Sequence, residues 1–145
     1  MGLLGKFEGR IDPQGRLVIP QKFRDALALG QGLVLARGMD PCIDAYPPQE
    51  WEEFKKRFSQ FSRFDEAARR VGRHIFSTAF NALADRQGRI LLPQDLRQHA
   101  GINDEIVIVG HDAYFEIWSP QRWLEEEGKV PDLAAIAQGL ERGRG

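Results

Sequence analysis

Two arginines, Arg16 and Arg89, each stand directly after a glycine and four residues after an aspartate. They lie in the runs Asp12-Pro-Gln-Gly15-Arg16-Leu-Val-Ile-Pro20 and Asp85-Arg-Gln-Gly88-Arg89-Ile-Leu-Leu-Pro93. A planar guanidinium presented beside a tight turn can bridge phosphate oxygens or read guanine O6 and N7 with two hydrogen bonds, so the chemistry indicated is recognition. Lys6, Arg10 and Arg86 are expected nearby, completing a basic edge. Asp12 and Asp85 read first as turn-shaping residues whose carboxylates accept backbone N–H groups. An Asp–Arg ion pair also fits the spacing, although an exposed pair is worth only about 0 to 1 kcal/mol. Gly15 and Gly88 supply the left-handed residue that closes a type I turn with a bulge.

Bond-breaking chemistry finds little support. His74, His99 and His111 stand in unrelated sequence contexts without metal-ligand spacing, and neither a Gly-rich phosphate loop nor a nucleophile motif is present. His111-Asp112 reads as a solvated turn, and the single Cys42 as a small core or strand residue. The expectation is a protein that is not an enzyme, with no catalytic residues, metal, cofactor or small-molecule substrate.

The elements that position the arginines are written twice. The two runs are offset by 73 residues (Asp12 to Asp85), Arg24 matches Arg97 at the same offset, and Pro48-Gln49-x-Trp51 matches Pro120-Gln121-x-Trp123 one residue out of step. Two copies are too few for a solenoid, so the halves are expected to pack about one pseudo-twofold axis. In each, an alternating strand (Phe7, Gly9 and Ile11 against Lys6, Glu8 and Arg10) enters a hairpin turn, and a short apolar strand returns from it (Leu17–Ile19, Ile90–Leu92). Pro20 and Pro93 then open short helices, for which Gly30 and Gly101 offer stops. Strands at 33–35 and 43–46, and at 106–109 and 115–118, complete the units.

Helices open at the Pro-Gln-x-Trp elements. Trp51, Phe54, Phe58 and Phe61 draw an apolar seam, read as core packing with subunit contact as the alternative. A second helix starts at Asp65 and runs through Ala68, Val71 and Ile75. The tail after Lys129 reads as a weak helix fraying into disorder. The domain boundaries are therefore 5–47 and 76–119 for the halves, 48–75 for a helical connector, and 120–145 for a C-terminal helix and tail.

With a net charge of −1, the chain departs from the basic balance of a simple DNA binder. Its charge is uneven: residues 1–24 hold Lys6, Arg10, Arg16, Lys22 and Arg24 against Glu8 and Asp12, while Glu125, Glu126 and Glu127 lie far along the chain. A local basic face on a near-neutral body binds weakly alone and gains from several copies. The start of the chain is too short and interrupted for a signal peptide and no apolar run approaches a membrane span, so a cytoplasmic protein without membrane partners is expected.

The twice-written Asp-x-x-Gly-Arg-hydrophobic-x-hydrophobic-Pro pattern, with Pro-Gln-x-Trp downstream of each copy, resembles the MraZ family over nearly the whole chain. The resemblance implies a mixed α+β fold: two tandem swapped-hairpin halves of the AbrB/SpoVT type interlocked in one pseudo-twofold barrel, with flanking helices. It also implies ring-shaped homo-oligomers. The implied function is transcriptional regulation through double-stranded DNA, at direct repeats upstream of the division and cell-wall gene cluster and of the protein's own gene, in association with the nucleoid. An antitoxin-like protein-binding module sharing the swapped-hairpin half remains the alternative.

Overall fold

The computed structural model describes residues 2–27, 32–129 and 132–142. The first repeat holds β1 (Lys6–Arg10), β2 (Arg16–Val18), α1 (Gln21–Ala26), β3 (Leu33–Arg37) and β4 (Ile43–Tyr46), followed by α2 (Pro48–Phe58) and α3 (Glu66–Phe76). The second holds β5 (Phe80–Ala82), β6 (Arg89–Leu91), α4 (Gln94–Ala100), β7 (Glu105–Gly110) and β8 (Phe115–Trp118), followed by α5 (Pro120–Gly128) and α6 (Leu133–Arg142).

Six strands form one sheet in the order β1-β7-β8-β4-β3-β5, and β2 and β6 form a separate antiparallel ribbon. The order reads alike from both ends in repeat-equivalent strands. Leu17 faces Ile90 in the ribbon and Asp44 faces Glu116 in the sheet, each opposite its own equivalent. Instead of a local ladder within each expected hairpin, the arms diverge after the turn: β1 pairs with β7, β2 with β6, and β5 with β3. Among the described residues the sheet does not close into a barrel, since β1 and β5 are its ends.

Period-two patterning explains the layers. Leu33 and Leu35 of β3, Ile43 and Ala45 of β4, Ile106 and Ile108 of β7, and Phe115 and Ile117 of β8 face one side. There they meet the ribbon's inner residues Leu17 and Ile90, with Phe23 and Leu96 from the two short helices. Phe23 is fully buried and lies 5.1 Å from the Phe7 ring and 5.2 Å from that of Phe115. The opposite sheet face carries Val34 and Ala36, covered by Trp51 and Ile75 of α2 and α3, and Val107 and Trp118, covered by Trp123 of α5. The aromatic seam of α2 therefore splits: Trp51 is core, whereas Phe61 beyond the helix end is 59% exposed.

Local chemistry sets the ends of the helices. Pro20 and Pro93 cap α1 and α4, Pro48 and Pro120 take the first turns of α2 and α5, and Asp65 caps α3 by accepting the Ala68 N–H. Gly101 stops α4 at φ 65°, but α1 ends at Ala26 with an extended Leu27. Gly30, expected to stop it, lies outside the described residues, as do 143–145 of the tail. Residues 133–142 of that tail form helix α6. No described helix is long and apolar enough to cross a membrane.

Gly15 and Gly88 have φ of 84° and 76°. A β-carbon on Gly88 would lie 2.6 Å from the Arg24 guanidinium carbon, and one on Gly15 would lie 3.3 Å from Nη2 of Arg97. Gly88→Ala is expected to lower the unfolding free energy by about 1–3 kcal/mol through the left-handed backbone. Gly15→Ala should cost somewhat less, because its neighbour stands farther away. Urea denaturation of the two variants provides the comparison.

Candidate nucleic-acid interface

At each turn an aspartate gathers the local donors. The Asp12 carbonyl accepts the Gly15 N–H at 2.9 Å. Its carboxylate accepts the N–H groups of Gln14 and Arg16, both at 2.9 Å, and Nε of Arg16 at 3.0 Å. Asp85 repeats the arrangement with Gly88, Gln87 and Arg89, taking Nε of Arg89 at 2.7 Å. Turn shaping and ion pairing are thus one device, whereas the sequence reading weighed them as alternatives. The arginine backbone N–H, more than any other contact, draws both carboxyls below the usual aspartate range.

The two turns meet across the ribbon. Nη1 of Arg16 approaches Asp85 at 3.8 Å and Nη1 of Arg89 approaches Asp12 at 4.0 Å, so four charges of alternating sign sit together. Both arginine side chains retain about 30% exposure. They are held, partly shielded groups, because each Nε is committed to an aspartate while the guanidinium end remains at the surface. An Nη2 of Arg16 also donates to the Gln14 side chain. Val18 and Leu91 share the ribbon's outer face with them, 51% and 43% exposed.

Arg24 and Arg97 buttress the turns from below. Nε of Arg24 donates to the Ile19 carbonyl and Nε of Arg97 to the Leu92 carbonyl, both at 3.0 Å. Each guanidinium lies beneath the glycine of the other repeat's turn. The sequence showed these arginines in repeat register without indicating this role; their shared offset was the signal. Arg86 projects from the second turn, exposed. Arg10 is drawn to Glu105 at 3.0 Å and Asp104 at 3.8 Å, which occupies its charge. Lys6 lies at the far end of β1, roughly 13 Å from Arg10 by strand rise, so the structure does not bring it to the ribbon.

Two polar groupings appear that the sequence did not indicate. His74 and His99, read as unrelated, meet with ring centroids 5.3 Å apart, and their Nε2 atoms face the carbonyls of Gly38 and Asp40. They pin the β3–β4 loop. On the outer sheet face, Asp44 and Glu116 are paired by the repeat symmetry beside a cavity of about 300 Å³ lined in part by Tyr46, Tyr114 and Arg57. Burial and the neighbouring Glu116 carboxylate push Asp44 up to about 7. Burial also raises Glu116. Cys42 Sγ lies 3.6 Å from Asp44 Oδ1, a thiol donating to a carboxylate, and burial holds that thiol protonated.

A family model described as "MraZ protein, putative antitoxin-like" matches residues 3–74 and again 75–136. The chain belongs to the MraZ family. It is 47% identical to the transcriptional regulator MraZ of Roseiflexus castenholzii over 120 residues, 83% of this chain and 82% of that protein. It is 47% identical to that of Thermomicrobium roseum over 138 residues, covering 94% and 96% of the two chains. To the Clostridium acetobutylicum protein of the same name it is 36% identical over 137 residues, 94% and 95%. In this MraZ chain each match takes in the first helix after its strands, α2 or α5, and ends within the next, α3 or α6.

The Asp44–Glu116 pair carries a pH signature. With Asp44 near 7 in the folded state against its ordinary value of 3.8, the folded state binds the extra proton, so stability is lost as pH rises from about 4 through 7. Asp44→Asn removes the Asp44 part of this dependence, leaving that of Glu116, and is expected to gain roughly 1–3 kcal/mol over the parent at pH 8.5, with little difference at pH 4. Urea denaturation at the two pH values checks it.

Proposed function

We propose that this MraZ chain is a sequence-specific DNA-binding transcriptional regulator that inserts the β2–β6 ribbon into the major groove. The observation that carries this reading is the neutral Asp12–Arg16–Asp85–Arg89 cluster on the ribbon's outer face, which fixes two guanidinium groups in direction. A two-stranded ribbon is of a width the major groove admits, and a guanidinium anchored through Nε can offer its remaining donors to guanine. Arg86, Arg24 and Arg97 supply the surplus positive charge around the turns. Val18 and Leu91 offer apolar contact to thymine methyl groups.

One ribbon on a body of net charge −1 holds DNA weakly, so several copies must act together. The reading is a ring-shaped homo-oligomer of AbrB/SpoVT-type chains bound to direct repeats, with targets upstream of the division and cell-wall gene cluster and of its own gene. The reading includes association with the nucleoid. Support comes from the family, from the relatives named transcriptional regulators, and from the cross-repeat pairing of the strands. The words "antitoxin-like" in the family description keep a protein-binding role as the competing reading.

Footprinting of the purified protein on the DNA upstream of its own gene tests the proposal, with protection of spaced repeats as the expected result. Arg16→Lys retains the charge but not the forked geometry, and should reduce discrimination for the repeats by about 1–3 kcal/mol per engaged ribbon. Its affinity for unrelated DNA should change little. Wild-type discrimination in this variant contradicts base reading by Arg16. Inserting half a helical turn, about 5 base pairs, between repeats should weaken binding, and undiminished affinity contradicts the multivalent geometry.

A further inference from the structure

The two repeats treat their second long helix differently. In the first, α3 folds back onto the sheet, where Ile75 and Val71 join Trp51, Val34 and Ala36. In the second, α6 occupies the equivalent place in chain order, yet all its described residues are exposed. Leu133, Ile136, Ala137 and Leu140 nevertheless recur at the spacing of one helix face, and the three large ones are 70%, 50% and 72% exposed. A helix of 10 residues is marginal in water on propensity alone, so this stripe needs an apolar surface to hold it.

Such a surface exists on the same chain. Between α2 and α3 runs a groove with a cavity of about 370 Å³, lined by Met39, Phe54, Phe58, Phe61, Ala68 and Val71. Met39 and Phe61 are 67% and 59% exposed. Charge complements shape. Residues 48–76 carry seven basic side chains against five acidic ones; α6 itself is neutral, with Glu141 and Arg142, and the acidic excess lies on the stretch leading into it, where Glu125, Glu126, Glu127 and Asp132 stand against Lys129. Arg63, Arg69 and Arg73 edge the groove's continuation and are in no ion pair among the described residues.

We propose that the groove between α2 and α3 seats the apolar face of α6 from a second copy of the chain. The two surfaces differ and belong to opposite halves of the molecule, so the contact is head-to-tail, and repetition about a closing rotation builds a ring. The inference deepens the homo-oligomer reading above and rests on it.

The test uses full-length chains carrying Ala68→Cys or Ile136→Cys, the native Cys42 being 1% exposed. Mixed and oxidised, the two variants should give a disulfide-linked pair that neither gives alone, and a chain carrying both substitutions should give a ladder of linked multimers. Absence of any cross-link, or a cross-link confined within single chains, overturns the proposal. Leu140→Asp, which alters no core residue, should convert the sedimenting oligomer to monomer while the sheet's circular dichroism persists; an unchanged oligomer also overturns it. If the wild type sediments as an oligomer while the cross-link fails, only this contact is wrong. A monomeric wild type removes the ring reading itself.

Discussion

A carboxylate that accepts two backbone N–H groups and a guanidinium Nε fixes the shape of a turn, the exit of a strand and the direction of an arginine at once. Asp12 and Asp85 both do this. Because the ribbon places one turn beside the other, each arginine also faces the second aspartate. The cluster is neutral as a whole, which makes it tolerable in a half-shielded setting where a lone guanidinium pair would repel. Individually these pairs contribute little to stability. Their effect is on orientation.

The remainder of the fold supplies the symmetry this arrangement needs. Pairing β1 with β7 and β5 with β3 ties each repeat to the other along the sheet, so neither half completes its core alone. Leu17 and Ile90 pack beneath the ribbon on Phe23 and Leu96, and the short helices carrying those residues also bring Arg24 and Arg97 beneath the turns. The same relation has a cost at the far side of the sheet, where it sets Asp44 against Glu116 in a partly buried place.

Much of this was legible because it is local. The period-two alternation of β1, the turn glycines, the proline caps and the Asp65 cap are each written within a few residues, and the structure shows them where expected. What was not legible depends on strand partners far apart in sequence. Periodicity says that Phe7 alternates with Lys6 and Glu8, but not that β1 leaves its own hairpin for β7. For the same reason His74 and His99 read as strangers, Lys6 seemed closer to the ribbon than it lies, and Arg10 gave no sign of Glu105. The aromatic seam was visible, but its division between a buried Trp51 and an exposed Phe61 depends on where the helix stops.

The central claim is that the aspartates position the arginines for reading DNA. Replacing both in Asp12→Asn/Asp85→Asn keeps side-chain oxygens for the turn N–H groups but weakens the hold on the guanidinium groups and removes two negative charges. Competition binding of this variant between an upstream repeat and unrelated DNA of equal length measures the claim most directly. The account predicts equal or stronger affinity for unrelated DNA and a collapse of discrimination between the two. Discrimination preserved at the wild-type ratio would contradict it.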